Sequence, residues 1–285
     1  MLSIISVKYG SSQWLEKNLE LVQKLNPNHS PQWLIVNNDN DSGFRSSYQI
    51  LPAVAREQHN DKGSYHHAAA IMSALPEVKT RFLLVLDHDF YILRQNWITT
   101  VTQQMMARDL AFFGSVWHPK WTYQYRYFPS VHCFFVDLEK VAITDLNFLP
   151  AMGTHWLDNI ISHPALPLPK NWRTRLQIGQ FRDTGWRIYQ RFKKYRFESL
   201  IPHLNATAPR FIPERLSLIP TKANAFTRAS FLAQDSSFAY QNGWEEFFWQ
   251  DQPFAFHLRR VGRNPQTDEY HELCRLLECY QPTIP

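Results

Sequence analysis

The chain reads as an α/β protein: a mixed, mostly parallel central sheet flanked by helices, then a second half of different character and a C-terminal helix. Three observations predict this. Over the first 110 residues short buried apolar runs alternate with helical stretches, the pattern of a parallel sheet. The apolar fraction is 44% over 285 residues, enough for a substantial core, yet no run approaches the ~18 apolar residues of a membrane span. One apolar run, Phe82 to Leu86, ends directly in Asp87-His88-Asp89, and ligands of open α/β sheets bind at the carboxyl ends of strands.

Each element follows from its residues. Ser3 to Tyr9 is strand-like, and Gly10-Ser11-Ser12 breaks it. Ser12 is placed to cap a helix whose apolar positions Leu15, Leu19 and Val22 recur at i, i+4 and i+7, ending near Asn26-Pro27. Trp33 to Val36 is a second short strand, closed by a loop rich in Asn and Asp. His66 to Leu75 is Ala-rich and helical, bounded by Gly63-Ser64 and Pro76. After the Phe82–Leu86 strand, Trp97, Val101 and Met105 mark another helix. Ala111 to Trp117 and Val131 to Leu138 read as strands on either side of an aromatic loop containing Trp121, Tyr123 and Tyr125. Ile188, Phe192 and Tyr195 share a helical face, with Arg187, Arg191 and Lys194 as a basic stripe beside it. Phe254-Ala255-Phe256 leads into His257, and Tyr270, Leu273, Cys274, Leu277 and Tyr280 form an amphipathic last helix. The organisation expected is one domain over 1–262, with halves 1–110 and 111–262, and a helical extension over 263–285.

Charge is uneven. The formal net charge is +5, yet Lys170 to Phe197 holds nine basic residues and one acid, Asp183. That segment is therefore +8 and the remainder −3, so the basic character is a local patch facing an anion. Three cysteines, Cys133, Cys274 and Cys279, are too few and too scattered for a disulfide framework or a zinc site, and a reducing cytoplasm is the expected home. The N-terminus has no basic start or small-residue cleavage site and is expected to be a first strand, not a signal peptide.

Thirteen aspartates in 285 residues yield roughly 0.6 Asp-x-Asp pairs by chance. Two occur, at Asp39/Asp41 and at Asp87/Asp89. The first lies in a turn-rich loop, where Asp is at home structurally. The second lies between two apolar runs, and charge placed there needs a partner or a metal. Two carboxylate oxygens suit a hard divalent cation, Mg²⁺ or Mn²⁺, of the kind that also holds substrate phosphates.

These segments, taken in order, resemble the GT-A-fold (Rossmann-like) glycosyltransferases, and the large family-two group in particular. Ser6-Val7-Lys8-Tyr9 resembles the first strand, whose end contacts the nucleotide. Val36-Asn37-Asn38-Asp39 resembles the base-holding loop, and Gly63 to Ala68 the helix before the metal motif. Leu86-Asp87-His88-Asp89 resembles the family's Asp-x-Asp. Cys133 to Asp137 resembles the strand beside the acceptor site, and Arg182-Asp183-Thr184-Gly185-Trp186 the segment supplying the catalytic base. Two departures stand out: Arg182-Asp183 replaces an acidic pair, and Asn37-Asn38 replaces a more usual acid in the base loop.

The resemblance implies transfer of a sugar from a nucleoside diphosphate sugar to an acceptor hydroxyl, with inversion. Asp89 is the first-choice metal ligand; Asp87 is expected on the metal or the ribose, and His257 as a third ligand or a hydrogen-bonded structural histidine. Val7, Tyr9, Asn38, Asp39, His66, Asp87 and Arg259 are the expected donor-binding residues, with Arg259 and Arg260 either clamping phosphate or solvated. Asp183 is the expected base, or else a helix cap. The aromatic residues Trp117, Trp121, Tyr123, Tyr125 and Trp186 either stack on sugars or pack in the core. The acceptor implied is a glycan or a lipid-linked molecule. Segment 170–197 is read as lining the acceptor groove, touching the inner face of a membrane, or binding nucleic acid, the last not being expected. A nucleotidyltransferase or phosphodiesterase using the same Asp pair, a basic nucleic-acid-binding protein, and a silent GT-A module are the competing readings.

Overall fold

The computed structural model describes residues 1–39, 43–54, 63–118, 127–151, 183–203, 229–258 and 267–279. In chain order the elements are β1 (Leu2–Lys8), α1 (Ser12–Leu25), β2 (Gln32–Asn37), β3 (Gln49–Leu51), α2 (Gly63–Ala74), β4 (Phe82–Leu86), β5 (Phe90–Ile92), α3 (Trp97–Ala107), β6 (Phe112–Gly114) and β7 (Cys133–Asp137). The second half adds α4 (Trp186–Phe192), β8 (Phe197–Ser199), β9 (Ile201–Pro202), α5 (Phe231–Asp235), α6 (Ser237–Gln241), β10 (Glu245–Trp249), β11 (Gln252–His257) and α7 (Thr267–Cys279).

Seven strands form the central sheet in the order β3-β2-β1-β4-β7-β6-β8, and only β7 runs against the rest. The mixed, mostly parallel sheet with flanking helices expected from the sequence is the one observed. A second sheet, β5-β11-β10-β9, is antiparallel throughout. It was not legible as a sheet, because β5 and β9 are only three and two residues long and lie far in sequence from the β10–β11 hairpin.

Strand alternation sorts the core into two layers. Phe82, Leu84 and Leu86 of β4 face the side carrying α1, α3, the small sheet and α7, together with Trp14, Trp97, Phe247 and Leu273. Leu83 and Val85 face the opposite side with Ala68 and Ile71 of α2 and Ile188 and Phe192 of α4. The leucines of α7 thus belong to the main core, and Tyr270 meets Trp14 edge-on at 5.7 Å. Gly114 lets β6 approach β7: a Cβ there would lie 1.9 Å from the Cys133 carbonyl oxygen.

Some local expectations shift. Ser11, not Ser12, caps α1, because its extended backbone lets its Oγ accept from the Gln13 amide at 3.3 Å. Tyr195 lies beyond the end of α4 and is exposed. Arg187, Arg191 and Lys194 are exposed, as a solvated stripe should be, and Arg191 pairs with Asp145 at 2.7 Å. The aromatic loop, most of the basic segment including Arg182, and Tyr280 lie outside the described residues. No described helix is long and apolar enough to cross a membrane.

Candidate active site

The junction between the two sheets is where the Asp pair sits. β4 ends at Leu86 and β5 begins at Phe90, so Asp87-His88-Asp89 is the crossing between them. Neighbouring strands pin both ends. The Asp87 amide donates to the His132 carbonyl at 2.9 Å, extending the β4–β7 ladder in which Leu86 faces Cys133. The Leu258 amide donates to the Asp89 carbonyl at 3.1 Å, extending the β5–β11 ladder in which Phe90 faces His257. From below, Asn18 of α1 donates its amide to the carbonyls of Phe90 (2.9 Å), Asp87 (3.3 Å) and His88 (3.4 Å). His88 turns away and donates from Nδ1 to the Val7 carbonyl at 3.0 Å, tying the turn to the end of β1.

Three imidazoles surround the two carboxylates. His257 lies between Asp89 (Nε2 to Oδ1, 3.2 Å) and Glu245 (Nδ1 to Oε2, 2.8 Å), with Asp87 at 4.0 Å from Nε2. Glu245 is opposite His257 across the β10–β11 ladder, so one cross-strand pair places both on one face. His132 donates from Nδ1 to Asp87 Oδ2 at 2.7 Å, and its ring lies 4.7 Å from that of His257. His67, in the second turn of α2, brings Nε2 to 3.5 Å from Asp87 Oδ1. Burial opposes the charge on His257, but the Asp89 and Glu245 carboxylates outweigh it, and the imidazole is pushed up to about 10. Burial likewise opposes the charge on Asp87, yet the His132 hydrogen bond and the surrounding imidazoles hold it well below the usual carboxylate range. Asp89 is also lowered, with His257 overcoming burial. Burial lowers His67, against the pull of Asp87.

The residues fit a divalent cation. An ion ~2.1 Å from each donor keeps adjacent donors about 3 Å apart and opposed ones about 4 Å, the spacings of His257 Nε2 to Asp89 and Asp87. Glu245 accepts from Nδ1 of His257, an arrangement that would fix the ring's tautomer and leave Nε2 to face an ion. Asp87, His132 and His257 can each present one ligand atom with all three within 4.8 Å of one another. His132 Nε2 is buried with no hydrogen-bond partner among the described residues.

The other expected site residues divide. Asp87, Asp89 and His257 are brought together, and Val7 adjoins them through His88. Asp183 reaches the same region from the far half of the chain. Thr184 donates from Oγ1 to the Ser64 carbonyl at 3.1 Å, which sets Asp183 beside the first turn of α2, one turn from His67. Asp183 does not cap α4, whose N-cap is Gly185; its carboxylate accepts from the Thr184 amide at 2.7 Å. Asn38 and His66 bind each other: Asn38 Nδ2 donates to His66 Nδ1 at 3.2 Å, while His66 Nε2 donates to the Val54 carbonyl at 2.8 Å. Asp39 pairs with the buried Lys8 at 2.8 Å and accepts from the Gly10 amide, and Tyr9 is half-buried beside it in sequence. Arg259 and Arg260 lie outside the described residues. Trp117 packs 5.2 Å from His132, and Trp186 5.2 Å from Tyr189.

Sequence reasoning missed Asn18, His132 and Glu245, and gave His67 no role. The one signal for His132 was its place near the start of the Val131–Leu138 run, which could pair with Phe82–Leu86 in reverse; antiparallel pairing, with Leu86 facing Cys133, sets it opposite Asp87.

No protein-family model matches the chain. No curated protein matches it at a significant level. Solved structures overlap parts of it. A mannosyltransferase, PcManGT from Pyrobaculum calidifontis, in complex with GDP-Man and Mn²⁺, is 11% identical over 52% of this chain and 47% of its own, with a TM-score of 0.38. S. aureus TarS 1-349 in complex with UDP-GlcNAc is 13% identical over 52% of this chain and 48% of its own, at 0.38. A glycosyltransferase involved in glycosylation of the major capsid of PBCV-1 is 12% identical over 70% of this chain and 81% of its own, at 0.35. The chain spans about half the length of the first two of these structures.

Proposed function

We propose that the chain is a metal-dependent glycosyltransferase that moves a sugar from a nucleoside diphosphate sugar to an acceptor hydroxyl with inversion. The observation that carries the reading is the sheet junction, where Asp87, Asp89 and His257 converge with ion-compatible spacing at the carboxyl end of β4. Asp87, Asp89 and His257 would hold the cation, Mn²⁺ or Mg²⁺, which supplies Lewis-acid stabilisation of the charge on a departing diphosphate.

The residues of the chain do the rest. Asp183 takes the proton of the acceptor hydroxyl as that oxygen bonds to the anomeric carbon. The bond from that carbon to the phosphate oxygen breaks, and its electron pair leaves with the diphosphate. A single carboxylate base that deprotonates the acceptor while its oxygen attacks directly gives one displacement, hence inversion. Asn38 and His66 act by fixing the end of β2 against α2, which shapes the floor on which a base would lie. Lys8 and Asp39 hold the adjoining strand ends together.

The test is a thermal-shift series of diphosphate nucleotides with and without Mn²⁺, since a ligand binding the folded state raises its melting temperature. Stabilisation by a diphosphate nucleotide that requires Mn²⁺ and disappears in Asp89→Ala is expected. Asp183→Asn should abolish transfer while nucleotide binding persists. Equal stabilisation without metal, or near wild-type transfer by Asp183→Asn, would overturn the corresponding part of the reading.

A further inference from the structure

We infer that His132 holds a hydroxyl of the transferred sugar through Nε2, as a specificity-determining residue that stands apart from the cation. The inference rests on the donor reading above and adds to it a contact on the sugar.

The argument starts from the two nitrogens of His132. Nδ1 donates to Asp87 Oδ2 at 2.7 Å. A carboxylate on Nδ1 fixes the tautomer, so the lone pair of the neutral ring is on Nε2, on the side away from Asp87. That atom is buried with no hydrogen-bond partner among the described residues. A buried acceptor with nothing to accept is unfavourable unless something else occupies its lone pair. The ring is held in place, with the Trp117 ring 5.2 Å away and the His257 ring 4.7 Å away. The side chain as a whole is 11% exposed, so it is not sealed from outside.

Direction then identifies the ligand. A donor ~2.8 Å from Nε2 lies about 7 Å from Asp87 Oδ2, across the ring. That is too far to share an ion with Asp87, yet within the span of a sugar whose phosphate that ion holds. A lone pair fixed as an acceptor takes an O–H or N–H, and on a simple sugar that is a hydroxyl. Asp87 also separates this point from the attacking oxygen. Its Oδ1 faces His67 at 3.5 Å, and the Thr184 bond to Ser64 sets Asp183 one turn of α2 from His67. Its Oδ2 faces His132. The acceptor hydroxyl therefore arrives on the Oδ1 side, and the hydroxyl on His132 belongs to the sugar being transferred. Trp117 sets an aromatic ring beside this polar point, and small-molecule sites combine aromatic walls with a few placed polar groups.

The experiment uses the full chain. Nitrogen-15 magnetic resonance of the ligand-free wild type should show His132 protonated at Nδ1 and bare at Nε2. A proton on Nε2 overturns the inference, and this readout requires no variant to fold. Calorimetric titration with Mn²⁺ present then compares UDP with UDP-GlcNAc and GDP with GDP-Man. The amide of His132→Asn keeps a donor where Nδ1 stands and takes Nε2 away, whereas the amide oxygen of His132→Gln reaches the place of Nε2. His132→Asn should weaken the sugar nucleotide about tenfold more than its nucleoside diphosphate. His132→Gln should bring that ratio back toward the wild-type value. Equal weakening of both ligands by His132→Asn makes His132 a support for Asp87 alone and overturns the inference. So does a sugar nucleotide that binds His132→Asn as tightly as wild type. If neither nucleoside diphosphate binds wild type with Mn²⁺, the donor reading itself falls, and this contact with it.

Discussion

Asn18→Leu isolates the clamp beneath the Asp87–Asp89 turn. The two side chains have the same branched shape, so the substitution removes polarity with little change of volume. Asn18 Nδ2 has two hydrogens and faces three carbonyls, at 2.9, 3.3 and 3.4 Å. At best this amounts to one strong bond to Phe90 and one shared between Asp87 and His88. Two buried bonds are worth about 1 kcal/mol each, and a carbonyl left without a partner adds a further ~1–3 kcal/mol. Asp87 is protected from that addition, because its carbonyl also accepts from the Phe90 amide at 3.1 Å. A gain opposes the loss: Asn18 Oδ1 has no partner among the described residues, and leucine removes that acceptor, returning ~1 kcal/mol. The net is a destabilisation of about 2–4 kcal/mol. At roughly 2–4 °C per kcal/mol for a chain of this size, Tm falls by about 4–16 °C, measured by circular dichroism. The turn carries Asp87 and Asp89, so Mn²⁺ affinity by calorimetry should weaken about tenfold, as for other outer-shell losses. Asn18→Asp, which offers oxygens to carbonyls, should fall further than leucine on both readouts. A leucine variant melting within about 1 °C of wild type and titrating identically with Mn²⁺ would refute the clamp.

Three further outcomes follow from the fold. Gly114→Ala forces a Cβ into the Cys133 carbonyl at 1.9 Å, a backbone atom that cannot rotate aside; strand β6 must shift, at about 3 kcal/mol, read as a lower urea midpoint with an unchanged m-value. Arg81→Met removes both hydrogen bonds to the fully buried Asp137, at 3.0 and 2.9 Å, and should destabilise by about 3 kcal/mol, most of it recovered by the double variant Arg81→Met/Asp137→Asn. Glu272 is held below its usual 4.5 by its hydrogen bonds from Arg275, with burial opposing and Ser236 assisting. A depressed carboxyl contributes stability above its unfolded value and loses it as pH falls through the folded one. The Tm difference between wild type and Glu272→Gln should therefore be constant above about pH 5 and shrink toward zero in acid.

The parts of the fold visible in the sequence are those whose signal is local. Phe82–Leu86 is five consecutive apolar residues and forms β4 with the same bounds. Trp97, Val101 and Met105 mark α3 because one face of a helix repeats at that spacing, and all three are buried. Asp87, Asp89 and His257 were legible because two sit at a strand end and the third ends a strand-like run. The small sheet was hidden: β5 and β9 have three and two residues, too short for any period to register. Asn18 was hidden because on the helix it reads as one polar residue among several, and only its burial against a turn 70 residues away reveals it. His132 and Glu245 act through cross-strand partners, Asp87 and His257, whose pairing no local pattern specifies.

Register, more than loop geometry, places the histidines beside the carboxylates. From the β10–β11 turn the ladder starts with Trp249 opposite Gln252 and Phe248 opposite Pro253, then shifts, so that Phe247 faces Ala255 and Glu245 faces His257. Phe254 is the extra residue, a bulge on β11. Had the ladder run on without it, Glu245 would face Phe256 and His257 would lose its carboxylate. The bulge is held from the other side, because the Phe254 carbonyl accepts from the Leu93 amide at 2.8 Å, just beyond the end of β5. Pro253, with no amide hydrogen to give the ladder, sits at the same place. A single inserted residue therefore sets Glu245 opposite His257, whose Nε2 reaches Asp89 just ahead of β5. A one-residue slip in a strand reverses which face each side chain occupies, so the bulge is what aims Glu245 and His257 of a hydrophobic hairpin toward the Asp87–Asp89 turn. The other pair, Asp87 with His132, is set by the β4–β7 register, and the two sheets join both at the turn that Asn18 holds and at Leu200, between β8 and β9.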